Sequence, residues 1–550
     1  MSAPSRQHEL PRERPSRSST VPGGRTQGTV RRLIVFSILF VLVMVAATGI
    51  SGLLGRLFET RPEYDGDSAS LALSLAFALI GGALALVLWW FVWRRLEGGD
   101  RDSVAWGLYL AAVSVVSLVV FTSALAGLVG AVARGEWEPD SLATAVTWLA
   151  LWVAHRAMWA HPTRRPTRLA SVPAVLGAAY GLTVAAAGGV RALAVLIDEA
   201  LPTPEGVGIS LGAPWSVAVV SPLAWCVVGA AVWAWYWAAE RARLLRGGFA
   251  DVVVVLTGVL GGAALTLGGI GVTLSVALRS IADRSDGWGD VLSPLPVAVA
   301  ATVIGALVWT GHRVTVADRS PATRSAARLV IAGVGLVGAA SGIGVVINAL
   351  LATLGTPLAG DDTRTLLLGG IASLLVGAPV WWAAWRPDRA SEERGSTSRR
   401  IYLVAVFGVS AVVAIVALLV VGYRVFSLVL DSDPEGFFER IRAPFGLLAA
   451  TALVAGYHFP VWRRERALAA ADTRDHAIEE VVLVAGSDVD DLARAVRDAT
   501  GARVTRWARA DQEAAIDAGA LLQALEPVVA RRVLVLGGTG GTVQVIPLAD

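Results

Sequence analysis

The sequence predicts an all-α integral membrane protein of about 12 transmembrane helices, arranged as six parallel two-helix repeats, with a small α/β domain at the C-terminal end. Three observations point there. The 550 residues are 55% hydrophobic with a mean hydropathy of +0.61, well above the roughly 45–50% of soluble domains. The apolar residues fall into blocks of about 20 or more, the length that crosses a ~30 Å hydrocarbon core at 1.5 Å per residue. Alternate blocks also end alike, in aromatic residues followed by arginine.

Residues 1–30 are rich in Arg, Ser, Pro and Gly and contain no apolar run, so a disordered tail is expected. A signal peptide is not expected, because the first apolar run starts late and is succeeded by many more. Residues 31–463 form the repeat domain. Its apolar runs lie near 32–55, 69–93, 104–133, 141–160, 169–197, 215–238, 250–279, 291–311, 327–353, 364–385, 400–428 and 443–462. Backbone N–H and C=O groups have no water to bond in lipid, so each run is expected to be helical.

Odd-numbered runs are long, mostly open after arginine, and carry small residues about two-thirds along, as at Ser51-Gly52, Gly188-Gly189 and Gly268-Gly269. Even-numbered runs are shorter and end in the aromatic–basic pattern. Its candidate residues are Trp89, Trp90, Trp93 and Arg94, then Trp237, Trp309, Trp381, Trp382, Trp385, Arg386 and Trp462. Taking Trp93, His155, Trp237, His312, Trp385 and Trp462 as anchors, the pattern returns at intervals of roughly 60 to 80 residues, the mark of repeated units. A unit with two spans returns the chain to the side it left, so the copies are expected to be parallel rather than inverted.

Most of the arginines lie in the N-terminal tail and after the even runs. The loops after odd runs carry acids such as Glu59, Asp65, Glu136, Asp361 and Asp431. The 47 basic residues are all arginine, which reads as GC-rich bacterial coding and hence an inner plasma membrane, and the positive-inside rule predicts cytoplasmic N- and C-termini.

The aromatic–basic ends read as interfacial anchors, with indoles at headgroup level and arginines on lipid phosphates. The competing reading is an aromatic basic pocket for a lipid headgroup or other anion. Small-xxx-small spacings such as Gly177…Gly181, Ser123…Gly127 and Gly338…Gly342 read as helix-packing faces. A broken helix at Leu267-Gly268-Gly269-Ile270-Gly271 is their alternative. Charges inside the spans are scarce and Asn348 is the one deep amide, which argues against a proton-coupled pump. His155, His312 and His458 are read as polar-tipped stand-ins for Trp at the interface. No metal ligand set and no cofactor is expected, since His, Cys and carboxylates show no ligand spacing.

Residues 464–477 are an Ala-rich linker, and 478–550 a compact α/β module. Strands are expected at Val481–Ala485, Ala502–Trp507, Arg532–Leu536 and Thr542–Pro547, with helices at Asp490–Thr500 and Gln512–Ala530. Gly537-Gly538-Thr539-Gly540-Gly541 tempts a phosphate-loop reading, but a strand rather than a helix comes next and the chain has no lysine. A hairpin turn is favoured. Ser487-Asp488-Val489-Asp490 reads as a helix cap.

Arg399-Arg400-Ile401-Tyr402 opening a Gly-containing long helix, and Pro379-Val380-Trp381…Trp385-Arg386 closing a short one, resemble an uncharacterised bacterial membrane-protein family known only as a domain of unknown function. The resemblance spans about residues 31–463. It implies an integral membrane protein and no established activity.

These features lead to a non-enzymatic membrane scaffold or signalling component. Its partners would be membrane lipids and a cytoplasmic protein or small ligand held by the C-terminal domain, with no nucleic acid. The alternative is a transporter or channel for a neutral or lipidic solute.

Overall fold

The structure, a computed structural model, describes residues 23–59, 68–96, 100–201, 214–282, 287–353, 363–385, 397–431, 437–475, 478–486, 489–508, 516–528, 530–538 and 542–548. Twelve long helices run through the described residues. They are α1 (Gly23–Phe58), α2 (Ser68–Arg95), α3 (Val104–Ala133), α4 (Pro139–Trp159), α5 (Val172–Ala200) and α6 (Trp215–Ala239). Then come α7 (Gly248–Ala282), α8 (Trp288–Ala317), α9 (Pro321–Ala352), α10 (Thr363–Trp385), α11 (Thr397–Asp431) and α12 (Phe437–Asp475). Eleven are long and apolar enough to cross a membrane; α4 does not count among them. His155 and Arg156 sit near its end, and Trp148, Trp152 and Trp159 add little apolarity on a hydropathy scale.

The helices start where side chains can cap them. Ser103 accepts from the Trp106 amide at 3.2 Å, and Ser320 from the Thr323 amide at 3.2 Å, with Pro321 in the first helical turn of α9. Each even helix packs on the odd helix before it. Glycines set the distance. A methyl group at Gly181 of α5 would run into the backbone of Trp233 on α6, and one at Gly377 of α10 into the backbone of Ala339 on α9. Gly269 of α7 lies equally close to Ala298 and Thr302 of α8. Lipid gives helices no hydrophobic drive to associate, so close backbone approach supplies the packing. Gly127 differs from its expected role, since a methyl there would meet nothing within 4 Å. The helix is unbroken through Gly268-Gly269, so that glycine pair does not interrupt it.

Two expected boundaries move. The helix α1 begins at Gly23, inside the stretch expected to be disordered, because no proline lies between Pro22 and the first span and adding a residue to an existing helix is easy. Residues 1–22 lie outside the described residues. The expected linker 464–477 is helical as far as Asp475, in keeping with alanine's high helix propensity.

By its contacts the chain divides into two units, Met1–Ala384 and Trp385–Asp550. The second holds α11, α12 and a four-stranded sheet of β1 (Glu480–Ala485), β2 (Arg503–Ala508), β3 (Arg532–Gly537) and β4 (Val543–Leu548), in order β2-β1-β3-β4. The pairs β1–β2 and β1–β3 are parallel, and β3–β4 is antiparallel. Helices α13 (Val489–Thr500) and α14 (Ala518–Leu525) bury Leu492, Val496, Leu521 and Leu525 against Val481, Leu483, Val533 and Val535. The strands match expectation within a residue or two, whereas α14 is shorter than the expected helix. Ser487, Asp488 and residues 539–541, which carry the expected cap and glycine turn, lie outside the described residues. The antiparallel β3–β4 pairing and the Gly538 amide donating to the Thr542 carbonyl at 2.8 Å fit a hairpin there.

Candidate functional site: the arginine-rich helix ends

The predicted anchor residues divide between surface and core. Trp90 and Trp382 are about half exposed, and the Arg94 guanidinium lies 3.8 Å over the Trp90 ring. Trp93 is partly buried beneath Arg164, 4.0 Å from its ring centroid. Trp462 stacks on Phe407 and faces Arg466, and Trp381 packs edge-on to Trp382. Trp309 lies over Gly262, its indole N–H buried with no hydrogen-bond acceptor among the described residues. Arg386 lies outside the described residues.

The rest join into clusters that the sequence did not reveal. Trp89 sits 6.2 Å from His155, Trp237 5.3 Å from His312, and Trp385 5.5 Å from His458, centroid to centroid. Tyr109 joins the first cluster and Tyr402 the last. The three histidines are buried, and each bonds through Nδ1 to the carbonyl four residues earlier. They are core residues, not the interfacial stand-ins for Trp expected from the sequence. The reason is geometric: each histidine faces the tryptophan of the preceding hairpin, and that neighbour covers it.

Acids near the arginine-rich helix ends pair with arginines in both units. Glu240 accepts from Arg156, Asp251 from Arg319 and Thr323, and Glu465 from Arg399. Arg319 is fully buried at its side chain, and Arg399 also lies 4.3 Å over the Trp385 ring. Each of these acids lies near arginines at the basic end of a span, Glu240 beside Arg241 and Glu465 between Arg464 and Arg466. That was the signal available in the sequence, and the arginine tally passes over it. Among the described residues no group of three or more His, Cys, Asp or Glu could hold a metal ion.

One of these pairs borders a cavity of about 790 Å³. Its walls come from α3 (Leu108, Ser114), α4 (Trp152, Arg156, Trp159), the segment leading into α5 (Leu169, Ser171), the end of α6 (Tyr236, Glu240) and the start of α7 (Phe249). Trp152 Nε1 donates to the Tyr236 hydroxyl at 3.0 Å, fixing two of the aromatic walls. Arg156 Nε lies 3.0 Å from Glu240 Oε1. Leu169 (φ 60°) and Arg241 (φ 56°) are the non-glycine residues with left-handed backbone among the described residues; Leu169 lines this cavity and Arg241 adjoins its Glu240 wall. Such a conformation costs on the order of 1–2 kcal/mol per residue, and strained backbone of this kind concentrates at ligand-binding places.

The domain of unknown function DUF5671 matches this chain twice, at residues 32–160 and 325–457. Each match takes in four helices, α1–α4 and α9–α12, so the domain spans two of the helix pairs. Neither the curated proteins nor the solved structures provide a match.

Proposed function

We propose that this chain, which carries a domain of unknown function twice within a polytopic helical body, is a non-enzymatic membrane scaffold or signalling component whose C-terminal module docks a protein. The body is read as three four-helix units, the middle one being α5–α8, because the Trp–His pairing occurs once in each. The membrane is the bacterial inner membrane, with both termini in the cytoplasm as arginine placement predicts.

One observation carries the docking reading. The two helices of the module cover one face of its sheet, while the strand register puts Val482, Val484, Leu534, Leu536, Ile546 and Trp507 on the other. Trp507 is 61% exposed, and exposed aromatic residues of this kind serve as binding anchors. The same face ends in Arg503, Arg532 and Glu480, a net positive rim. The partner it fits is a protein segment with an apolar face and acidic flanks. Site-specific photo-cross-linking at position 507 of the full-length protein in cells, and then reconstitution with the purified candidate, tests this. Binding that Trp507→Asp abolishes supports the reading. Cross-links confined to this chain's own helices overturn it.

Passage of a neutral or lipidic solute is the second reading, favoured by the 790 Å³ cavity. Uptake of such a solute by reconstituted vesicles would support it.

A further inference from the structure

We infer that the cavity between α3, α4, α5 and α6 is a headgroup site for a zwitterionic phospholipid, one that carries a phosphate and an ammonium together. The inference stands apart from the docking reading, which concerns the C-terminal module.

Size and place come first. A volume of about 790 Å³ falls within the range of small-molecule sites, roughly 300–1,000 Å³. The cavity lies at the arginine-rich helix ends, where a headgroup would sit. The two segments beside it carry Arg164, Arg165 and Arg168 on one side and Arg241, Arg243 and Arg246 on the other. Such basic pockets between helices attract lipid phosphates.

Chemistry then narrows the headgroup. Inside, Arg156 and Glu240 pair with each other, their side chains about one-third and one-fifth exposed. An anionic headgroup drawn to Arg156 would leave Glu240 unpaired in a half-buried site. A simple cation would leave Arg156 so, and either loss is costly. A ligand carrying both charges side by side exchanges with the pair without orphaning either member. Its phosphate takes the guanidinium, which suits bidentate oxygens. Its ammonium takes Glu240 among Trp152, Trp159 and Tyr236, whose ring faces favour cations. The Tyr236, Ser114 and Ser171 hydroxyls remain for the phosphate and ester oxygens.

The rim shows where the chains go. Leu108 is 50% and Phe249 47% exposed, and Leu169 is exposed beside them, so the cavity opens onto an apolar border. The left-handed backbones of Leu169 and Arg241 hold the two flanking segments in conformations the chain would otherwise avoid. That is the expected signature of segments shaped for an occupant.

The test uses full-length protein, purified in detergent and stripped of lipid, then offered equal phosphatidylethanolamine and phosphatidylglycerol with native mass spectrometry as readout. The expected result is at least a ten-fold preference for phosphatidylethanolamine. Glu240→Gln and Arg156→Gln should bring that preference near parity, while Arg134→Gln at the opposite end leaves it unchanged. Leu108→Trp, which fills the rim without touching the ion pair, should lower retention of both lipids. It keeps the test decisive if a charge variant fails to fold. Equal or better retention of phosphatidylglycerol by the wild type overturns the inference. So does a preference that persists in both Glu240→Gln and Arg156→Gln, or wild-type retention of both lipids by Leu108→Trp. Protection by soluble phosphoethanolamine without retention of the lipid would mark a site for a free zwitterion and overturn the lipid assignment.

Discussion

Trp237 and His312 face each other with ring centroids 5.3 Å apart, and Trp89 with His155 and Trp385 with His458 repeat the arrangement. In each, a histidine from an even helix is buried against the tryptophan that closes the even helix before it. Within the first unit the contact therefore ties one hairpin to the next. Replacing Trp385 by Ala leaves a void in a packed cluster and also removes the indole donor to the Tyr457 hydroxyl. A loss on the order of 3 kcal/mol is expected, read as lowered resistance to unfolding in a graded detergent titration. Trp382→Ala, at a half-exposed ring, should change the midpoint little.

The buried pair Arg319–Asp251 supplies a sharper case. The Arg319 side chain is fully buried and that of Asp251 is 17% exposed. Asp251→Asn or Arg319→Gln alone should cost about 3 kcal/mol by stranding the remaining charge. The double variant should recover much of that loss. A double-mutant cycle on thermal stability measures it, and additive losses would show that the two charges do not depend on each other.

Glycine contacts separate structural positions from permissive ones. Gly181→Ala would push a methyl into the Trp233 backbone and force α5 and α6 apart, so a loss of roughly 1–3 kcal/mol or aggregation on solubilisation is expected. Gly271→Ala meets nothing within 4 Å and should be neutral or stabilising by up to about 1 kcal/mol. Size-exclusion profiles after stepwise heating distinguish the two.

Membrane orientation has a direct readout. With Cys226→Ser as a background lacking cysteine, Thr20→Cys and Asp550→Cys should be shielded in intact cells from a reagent that cannot cross the membrane. Glu136→Cys should react. Labelling of the terminal cysteines in intact cells would reverse the orientation.

Much of this architecture was legible in the sequence, and the reason is lipid. A span must be apolar over about 20 residues, so the eleven helices long and apolar enough to cross a membrane appear as hydropathy runs. The module's first strand was legible because Val481–Ala485 is a short, continuous apolar run, the mark of a strand covered on both faces or buried in a core. The clusters were not legible. His155 and Trp89 lie far apart in sequence, and a histidine at an aromatic anchor position looks the same whether lipid headgroups or another indole covers it. Glu240 was hidden for another reason. Counting arginines to orient a chain treats an acid on the basic side as noise, whereas here that acid is the partner that neutralises one arginine. Hydropathy shows one hairpin at a time, while the matched domain takes in two.

Helices α2 and α7 contain a π-turn in their interior, at Ala76–Gly81 and Val255–Gly261, and α6 ends in one at Trp235–Ala239. A π-turn holds one residue more than the α-turn it replaces, and it arises when a helix absorbs an insertion without rotating the residues beyond. Elsewhere in these helices, one added or deleted residue would swing the remaining length by about 100° and turn its lipid-facing side inward. At 76–81 and 255–261 a single deletion should instead relax the turn to ordinary α-helix and leave both halves facing their neighbours. These two short stretches are therefore where copies of this fold can differ in length by one residue, and a copy one residue shorter there would still fit the same bundle.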